Sequence, residues 1–240
     1  MNTQEARSVG IEVSSLVRAG QLEQASARLA PILAGRTRFA LLDRIGGAIG
    51  DGPLEPVNAF LDQVAAGRAE GGWVIVASAL GRQLNRDMAG AFARCQTFVR
   101  LADIWYGTDI LGERVPGPAL VADMESALTL LAPWRGDPDR WVRRTAGVAA
   151  HFWAKRSRGE YPAQAEALLA FLGPMFEERN VDAIKGVGWG LKTLGRYYPD
   201  LVANWLAGQL AQDHRCRALM LRKALTYLPA EQRARVLGGA

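Results

Sequence analysis

Along most of the chain, apolar positions recur at every third or fourth residue on a background rich in Ala, Leu, Arg and Glu. That is the period of an amphipathic helix. The periodic segments are separated by proline and glycine clusters: GDGPLEP at 50–56, RVPGP at 114–118, RGDPD at 135–139 and YYPD at 197–200. The pattern predicts roughly a dozen helices of about 10–18 residues each. Only WVIVAS (73–78) has a strand-like look, and SALGRQL continues it without a turn, so it is read as a buried stretch of helix. GGAIGDG (46–52) is glycine-rich but follows a helix-like segment and lacks the G-x-G-x-x-G spacing, so a phosphate loop is not expected there.

The second half of the chain carries a loose repeat. WVRRTAGVAAHFWAK (141–155), DAIKGVGWGLKTLGR (182–196) and RALMLRKALTYLP (217–229) each begin with basic residues, pass through small ones and end apolar. Arg143 and Lys185 are 42 residues apart, and Lys185 and Arg222 are 37 apart. A period near ~40 with two helices per period is the signature of HEAT-type solenoids. The expected fold is therefore all-α, one domain over 1–240, an α-solenoid whose inner helices line a concave basic groove. Residues 1–70 are expected to be helical on periodicity alone. Asp137-Pro138-Asp139 offers an N-cap, a proline at the first helical position and an acid in the first turn, which puts Trp141 to Arg158 on one helix.

Composition removes several function classes. A hydrophobic content of 49% is that of a globular chain. No uncharged apolar run is long enough for a membrane span, and MNTQEARSVG lacks the basic-then-apolar pattern of a secretory leader. A cytoplasmic protein without membrane contact, acting as a monomer, is expected. Cys95, Cys216, His151 and His214 are too scattered for a zinc cluster, so no metal and no cofactor is expected and both cysteines are read as buried thiols. No G-x-S-x-G elbow appears. The net charge of +5 is unevenly spread: residues 1–139 hold 13 basic and 16 acidic side chains, net −3, and residues 140–240 hold 16 and 8, net +8. A half this basic either meets phosphates or is a solvated arginine-rich surface.

Helical projection then sorts the candidates. On 182–196, Ile184, Val187, Leu191 and Leu194 form the core face, while Lys185, Trp189, Lys192 and Arg196 share another sector. Gly186, Gly188 and Gly190 surround Trp189, each at about 1 kcal/mol relative to alanine, which points to close approach by another helix or by a ligand. Trp189 either joins a nucleic-acid surface or packs under a neighbouring helix. On 138–158, Trp141, Thr145, Val148 and Phe152 make the apolar stripe, flanked by Arg144, Gly147 and His151. Arg144 could reach a phosphate with its planar fork, or pair on the surface with an acid one turn away. In IWYGTD (104–109), a continuous helix would put Leu101, Ile104, Thr108 and Leu111 in the core and Trp105 and Asp109 together at its margin.

Taken in order, these stretches resemble the HEAT-like-repeat DNA alkylation repair glycosylases of the alkylpurine DNA glycosylase D type. The order is a W-x-x-x-D helix (Trp105, Asp109), a W-x-x-R-x-A helix (Trp141, Arg144, Ala146), K-x-x-G-W-x-L-K (Lys185, Gly188, Trp189, Leu191, Lys192) and a later L-R-K-A-L (Leu221 to Leu225). The likeness covers residues 72–228. Each motif alone is weak; the four in order are fairly specific.

The resemblance implies an all-helical solenoid that holds duplex DNA in a basic groove and releases cationic N3- or N7-alkylated purines. It makes Asp109 the catalytic carboxylate, with Trp105 and Trp189 against the sugar-phosphate backbone at the lesion. Arg144 and Lys185 would hold backbone phosphates, with Arg143, Lys192 and Arg196 as further DNA-facing cations. Two other readings remain open: a HEAT-type nucleic-acid-binding protein without catalysis, and a protein-interaction scaffold.

Overall fold

The computed structural model describes residues 1–212 and 214–238, which are helical throughout with no strand among them. They divide into two compact units, Met1–Val115 and Pro116–Ala240. None of the described helices is long and apolar enough to cross a membrane.

The first unit holds α1 (Thr3–Arg18), α2 (Leu22–Ala34), α3 (Phe39–Gly50), α4 (Leu54–Ala66), α5 (Glu70–Gln83), α6 (Met88–Ala102) and α7 (Trp105–Arg114). Residues 1–70, read from periodicity alone, thus supply α1 to α4. Alternate helices pack on one another, α1 on α3, α3 on α5 and α5 on α7, with α2 on α4 and α4 on α6 behind them. Helices two apart in the chain thus stack on one another, consistent with an α-solenoid. WVIVAS lies inside α5, and its residues Trp73 to Ala77 are all buried, so a helix surrounded on every side explains the strand-like run. GGAIGDG serves packing: a Cβ at Gly46 would overlap the Ile75 carbonyl and one at Gly50 the Ala79 carbonyl, so α3 can meet α5 backbone to backbone.

The second unit holds α8 (Pro116–Ala122), α9 (Met124–Leu131), α10 (Arg140–Ser157), α11 (Pro162–Leu172), α12 (Val181–Tyr197), α13 (Pro199–Ala211), α14 (Ala218–Leu225) and α15 (Ala230–Gly238). The three repeat-like stretches fall on α10, α12 and α14, which pack in that order, while α11, α13 and α15 form the second layer. Every proline and glycine cluster read as a break lies at a helix boundary.

Three local expectations are corrected. The N-cap of α10 is Asp139, which accepts from the Trp141 and Val142 N–H groups at 2.7 and 3.3 Å; Asp137 instead accepts from the Asp139 N–H at 2.9 Å. No single helix runs through Leu101 and Leu111. Asp103 adopts the left-handed conformation at φ 45° and ends α6, and Ile104 is the N-cap residue of α7. Finally, Cys95 is buried, but Cys216 is only half-buried.

At the centre of the second unit, α10 and α12 touch through their backbones. A Cβ on Gly147 would overlap Gly186, and one on Gly190 would come within 2.7 Å of the Gly147 carbonyl. Gly147→Ala is expected to force the helices apart and lower stability by about 1–3 kcal/mol in denaturant unfolding. Gly208, inside α13, has nothing within 4 Å of its missing Cβ. Gly208→Ala should therefore stabilise by roughly 0.5–1 kcal/mol. Equal effects at both positions would show that the close contact is not what Gly147 provides.

Candidate functional site

In the first unit, α7 is seated by two devices. A Cβ on Gly107 would come within 2.8 Å of the Ala102 Cβ and 3.5 Å of Trp73 Cδ1, so the bare glycine lets the first turn of α7 settle onto α5 and α6. At its far end, Arg114 donates from Nε to Asp43 Oδ1 at 2.7 Å and from Nη2 to Oδ2 at 3.3 Å. Ser78 donates to the same Oδ1 at 2.7 Å, so one carboxylate ties α3, α5 and α7 together. The result presents the Trp105 indole, which is 57% exposed, one helical turn before the half-buried Asp109. Tyr106 meets Trp105 edge to face at 5.9 Å. Ile104 and Thr108 do not present a smooth core stripe: the Thr108 hydroxyl is buried and donates back to the Ile104 carbonyl at 3.0 Å.

In the second unit, α12 divides as its periodicity predicts. Ile184, Val187, Leu191 and Leu194 are fully buried. Lys185 and Arg196 are exposed, and Trp189 and Lys192 are half-buried on the other side. The glycines of this helix admit neighbouring helices: Gly186 and Gly190 face α10, and Gly188 faces Lys223 of α14.

Trp189 rests on His151 of α10, ring centroids 3.9 Å apart and 23° from parallel. The His151 Nδ1 lies 2.7 Å from the Thr193 hydroxyl, which itself donates to the Trp189 carbonyl at 3.0 Å. With its proton so directed, the hydroxyl accepts from His151, and the imidazole is the Nδ1–H tautomer. Burial, and then the charges of Lys155 and Lys192, lower the His151 pKa to about 4. The ring under Trp189 is therefore neutral at neutral pH.

The arginines part company. Arg144 is buried at 6% exposure and donates from Nη1 to the Asp182 carbonyl at 3.0 Å, so it is neither a surface arginine nor an i,i+4 pair. Arg143 is bound by Glu178 through Nε at 2.6 Å and by the Asp137 and Pro138 carbonyls through Nη1 at 2.6 and 3.0 Å. Burial pushes the Glu178 carboxyl up, but Arg143 and the Asn180 and Arg179 amides hold it below the usual range. This is a strut fixing the start of α10.

Three contributors were not singled out as site residues from sequence. His151 supports Trp189. Lys223 has its stem against Gly188, and its pKa is lowered by burial and then by Lys192, Arg144, Lys185 and Arg222. Tyr227 receives Lys192 Nζ at 4.3 Å and the Arg196 guanidinium at 5.5 Å over its ring. The signal for His151 was available: it pairs with Thr193 across 42 residues, the same offset as Arg143 to Lys185. Lys223 lies in the L-R-K-A-L stretch read for resemblance, but nothing local marks its crossing at Gly188. Together α10, α12 and α14 bring Lys192, the buried Arg144, Lys185 and Arg222 within electrostatic reach of Lys223, and Trp189 stands half-buried on the same side of α12 as Lys185 and Lys192, an arrangement suited to a polyanion with flat groups. Among the described residues, no three His, Cys, Asp or Glu side chains gather as they would to hold a metal ion.

The family described as DNA alkylation repair enzyme matches residues 70–228. That span covers α5 to α14, and it takes in Trp105, Asp109, Arg144, Lys185 and Trp189. No curated protein and no solved structure matches the chain.

The His151 titration gives a signed prediction. Its folded value of about 4 lies below the ordinary 6.5. Between those values the unfolded chain binds a proton that the folded chain does not, so stability falls as pH drops through that window. From pH 7 to pH 5 the wild type should lose roughly 1–2 kcal/mol more than His151→Phe, which keeps the stacking and removes the titration. Urea midpoints at the two pH values measure this; identical losses in both proteins would contradict a neutral buried imidazole.

Proposed function

The chain belongs to the DNA alkylation repair enzyme family, and from that membership we propose that it is a monofunctional DNA glycosylase excising cationic N3- or N7-alkylated purines from duplex DNA. Its role in alkylation repair follows from the family. The observation that carries the finer reading is the pairing on α7 of an exposed indole with a carboxylate one turn away, Trp105 with Asp109.

The chemistry needs little more. An N-alkylated purine already bears a positive charge, so it leaves C1′ as a neutral base, taking the electron pair of the glycosidic bond. No general acid is required. The sugar left behind is oxocarbenium-like, and Asp109 stabilises it by charge. Asp109 then aligns the attacking water and accepts its proton as the new C1′–O bond forms. The faces of Trp105 and Trp189 pack against the sugar-phosphate backbone and favour positive charge near their π-systems. Lys185, Lys192, Arg196 and Arg144 take backbone phosphates, Arg144 from its anchor on the Asp182 carbonyl. Arg143 is left out of that set because its guanidinium is engaged by Glu178 and two carbonyls.

Base release from methylated duplex DNA tests the reading. Wild type is expected to liberate 7-methylguanine or 3-methyladenine, and Asp109→Asn to lose about 10²–10³-fold in rate, the scale of removing one preorganised electrostatic group. The variant should bind the duplex at least as tightly, since a negative charge is gone. Equal release by wild type and variant would remove Asp109 from this role. A wild type that binds duplex but releases no base would make the chain a binding protein.

A further inference from the structure

Lys223 occupies an unusual place for a cation. Its stem crosses α12 at Gly188, where a Cβ would meet Lys223 Cδ at 2.7 Å, Cβ at 2.8 Å and Cγ at 3.4 Å. Gly188 follows Lys185 by three residues and precedes Lys192 by four, so the three positions share one face of α12. A lysine from α14 is thus laid between two lysines of α12. Gly188 is what permits it, because any side chain there would push the stem away.

Like charges gathered in this way repel unless an anion joins them. Among the described residues, none of Lys192, Arg222 and Lys223 forms an ion pair. Lys185 has only Asp182 at 3.8 Å, at an exposed site where such a pair contributes little. The electrostatic strain registers on Lys223 itself, whose charged form is disfavoured by burial first and then by Lys192, Arg144, Lys185 and Arg222. Lys192 is held in place by the Tyr227 ring at 4.3 Å. The cluster is therefore ordered in part before any ligand arrives, and what it lacks is negative charge.

We propose that Lys223, Lys192 and Lys185 form a subsite for one backbone phosphate of duplex DNA, with Gly188 as the seat that lets Lys223 reach it. The subsite rests on the reading above that this chain binds duplex DNA, and it adds a third helix, α14, to the binding surface. It is independent of base release, so undamaged duplex is the appropriate probe.

Affinity for an undamaged duplex is measured across a series of salt concentrations for four proteins. Lys223→Met keeps the stem and removes the charge. Gly188→Ala keeps every charge and displaces the stem. Arg235→Met, on α15, makes the same one-charge change in the other layer. Lys223→Met should bind about 5–10-fold more weakly at low salt and lower the slope of log affinity against log salt by about 1. Gly188→Ala should weaken binding by a similar factor although its net charge is unchanged, and Arg235→Met should match wild type. Thermal unfolding checks that each variant is folded. Wild-type affinity in Lys223→Met or in Gly188→Ala would overturn the subsite, as would an equal loss in Arg235→Met. If the wild type itself fails to bind, the subsite falls together with the DNA-binding reading beneath it.

Discussion

The second unit depends on a contact made without side chains. Where α10 crosses α12, Gly147 meets Gly186 and Gly190, and the two backbones lie closer than any Cβ would allow. That approach fixes the register of one helix on the other. Arg144 then falls beside Asp182, and its guanidinium reaches the carbonyl there. One turn beyond the contact, His151 falls beneath Trp189 and beside Thr193. A wider helix separation would leave the arginine unanchored and the indole without its platform. The first unit uses the same device, with Gly46 and Gly50 of α3 against Ile75 and Ala79 of α5.

Close packing also sets the electrostatics. Bringing α10, α12 and α14 together concentrates cations, and the structure accommodates them in different ways. His151 stays neutral, through burial and through the neighbouring lysines, and so serves as a flat support that adds no charge. Lys192 and Arg196 lie over the Tyr227 ring. Arg143 is paired with Glu178. Burial, and then the charges of Lys192, Arg144, Lys185 and Arg222, lower the Lys223 pKa.

Much of this was legible in the sequence, for local reasons. Helix identity, the breaks at proline and glycine clusters, the buried face of α12 and the placement of Trp189 among basic residues follow from a 3.6-residue period. The repeat near 40 carried more than fold class, because its 42-residue offset is the offset at which His151 meets Thr193. The glycines of α12 signalled close approach but could not say whether a helix or a ligand made it. Other features were hidden because a distant partner decides them. Arg144 is buried by α12, Arg143 is claimed by Glu178, and Lys223 crosses at Gly188. The break at Asp103 was missed for a different reason: a left-handed aspartate ends α6 where no glycine or proline marks the turn.

In the proposed glycosylase reaction a single carboxylate suffices, because the leaving base carries its own positive charge. The most direct measurement compares release of 7-methylguanine with release of O6-methylguanine from otherwise identical duplexes. The first is cationic and the second neutral, and they differ little in size. If the proposed reaction proceeds without a general acid, 7-methylguanine should be released while O6-methylguanine remains in place. Release of the neutral base at a comparable rate would contradict the mechanism, since its departure requires a proton that Asp109, as a carboxylate, does not supply.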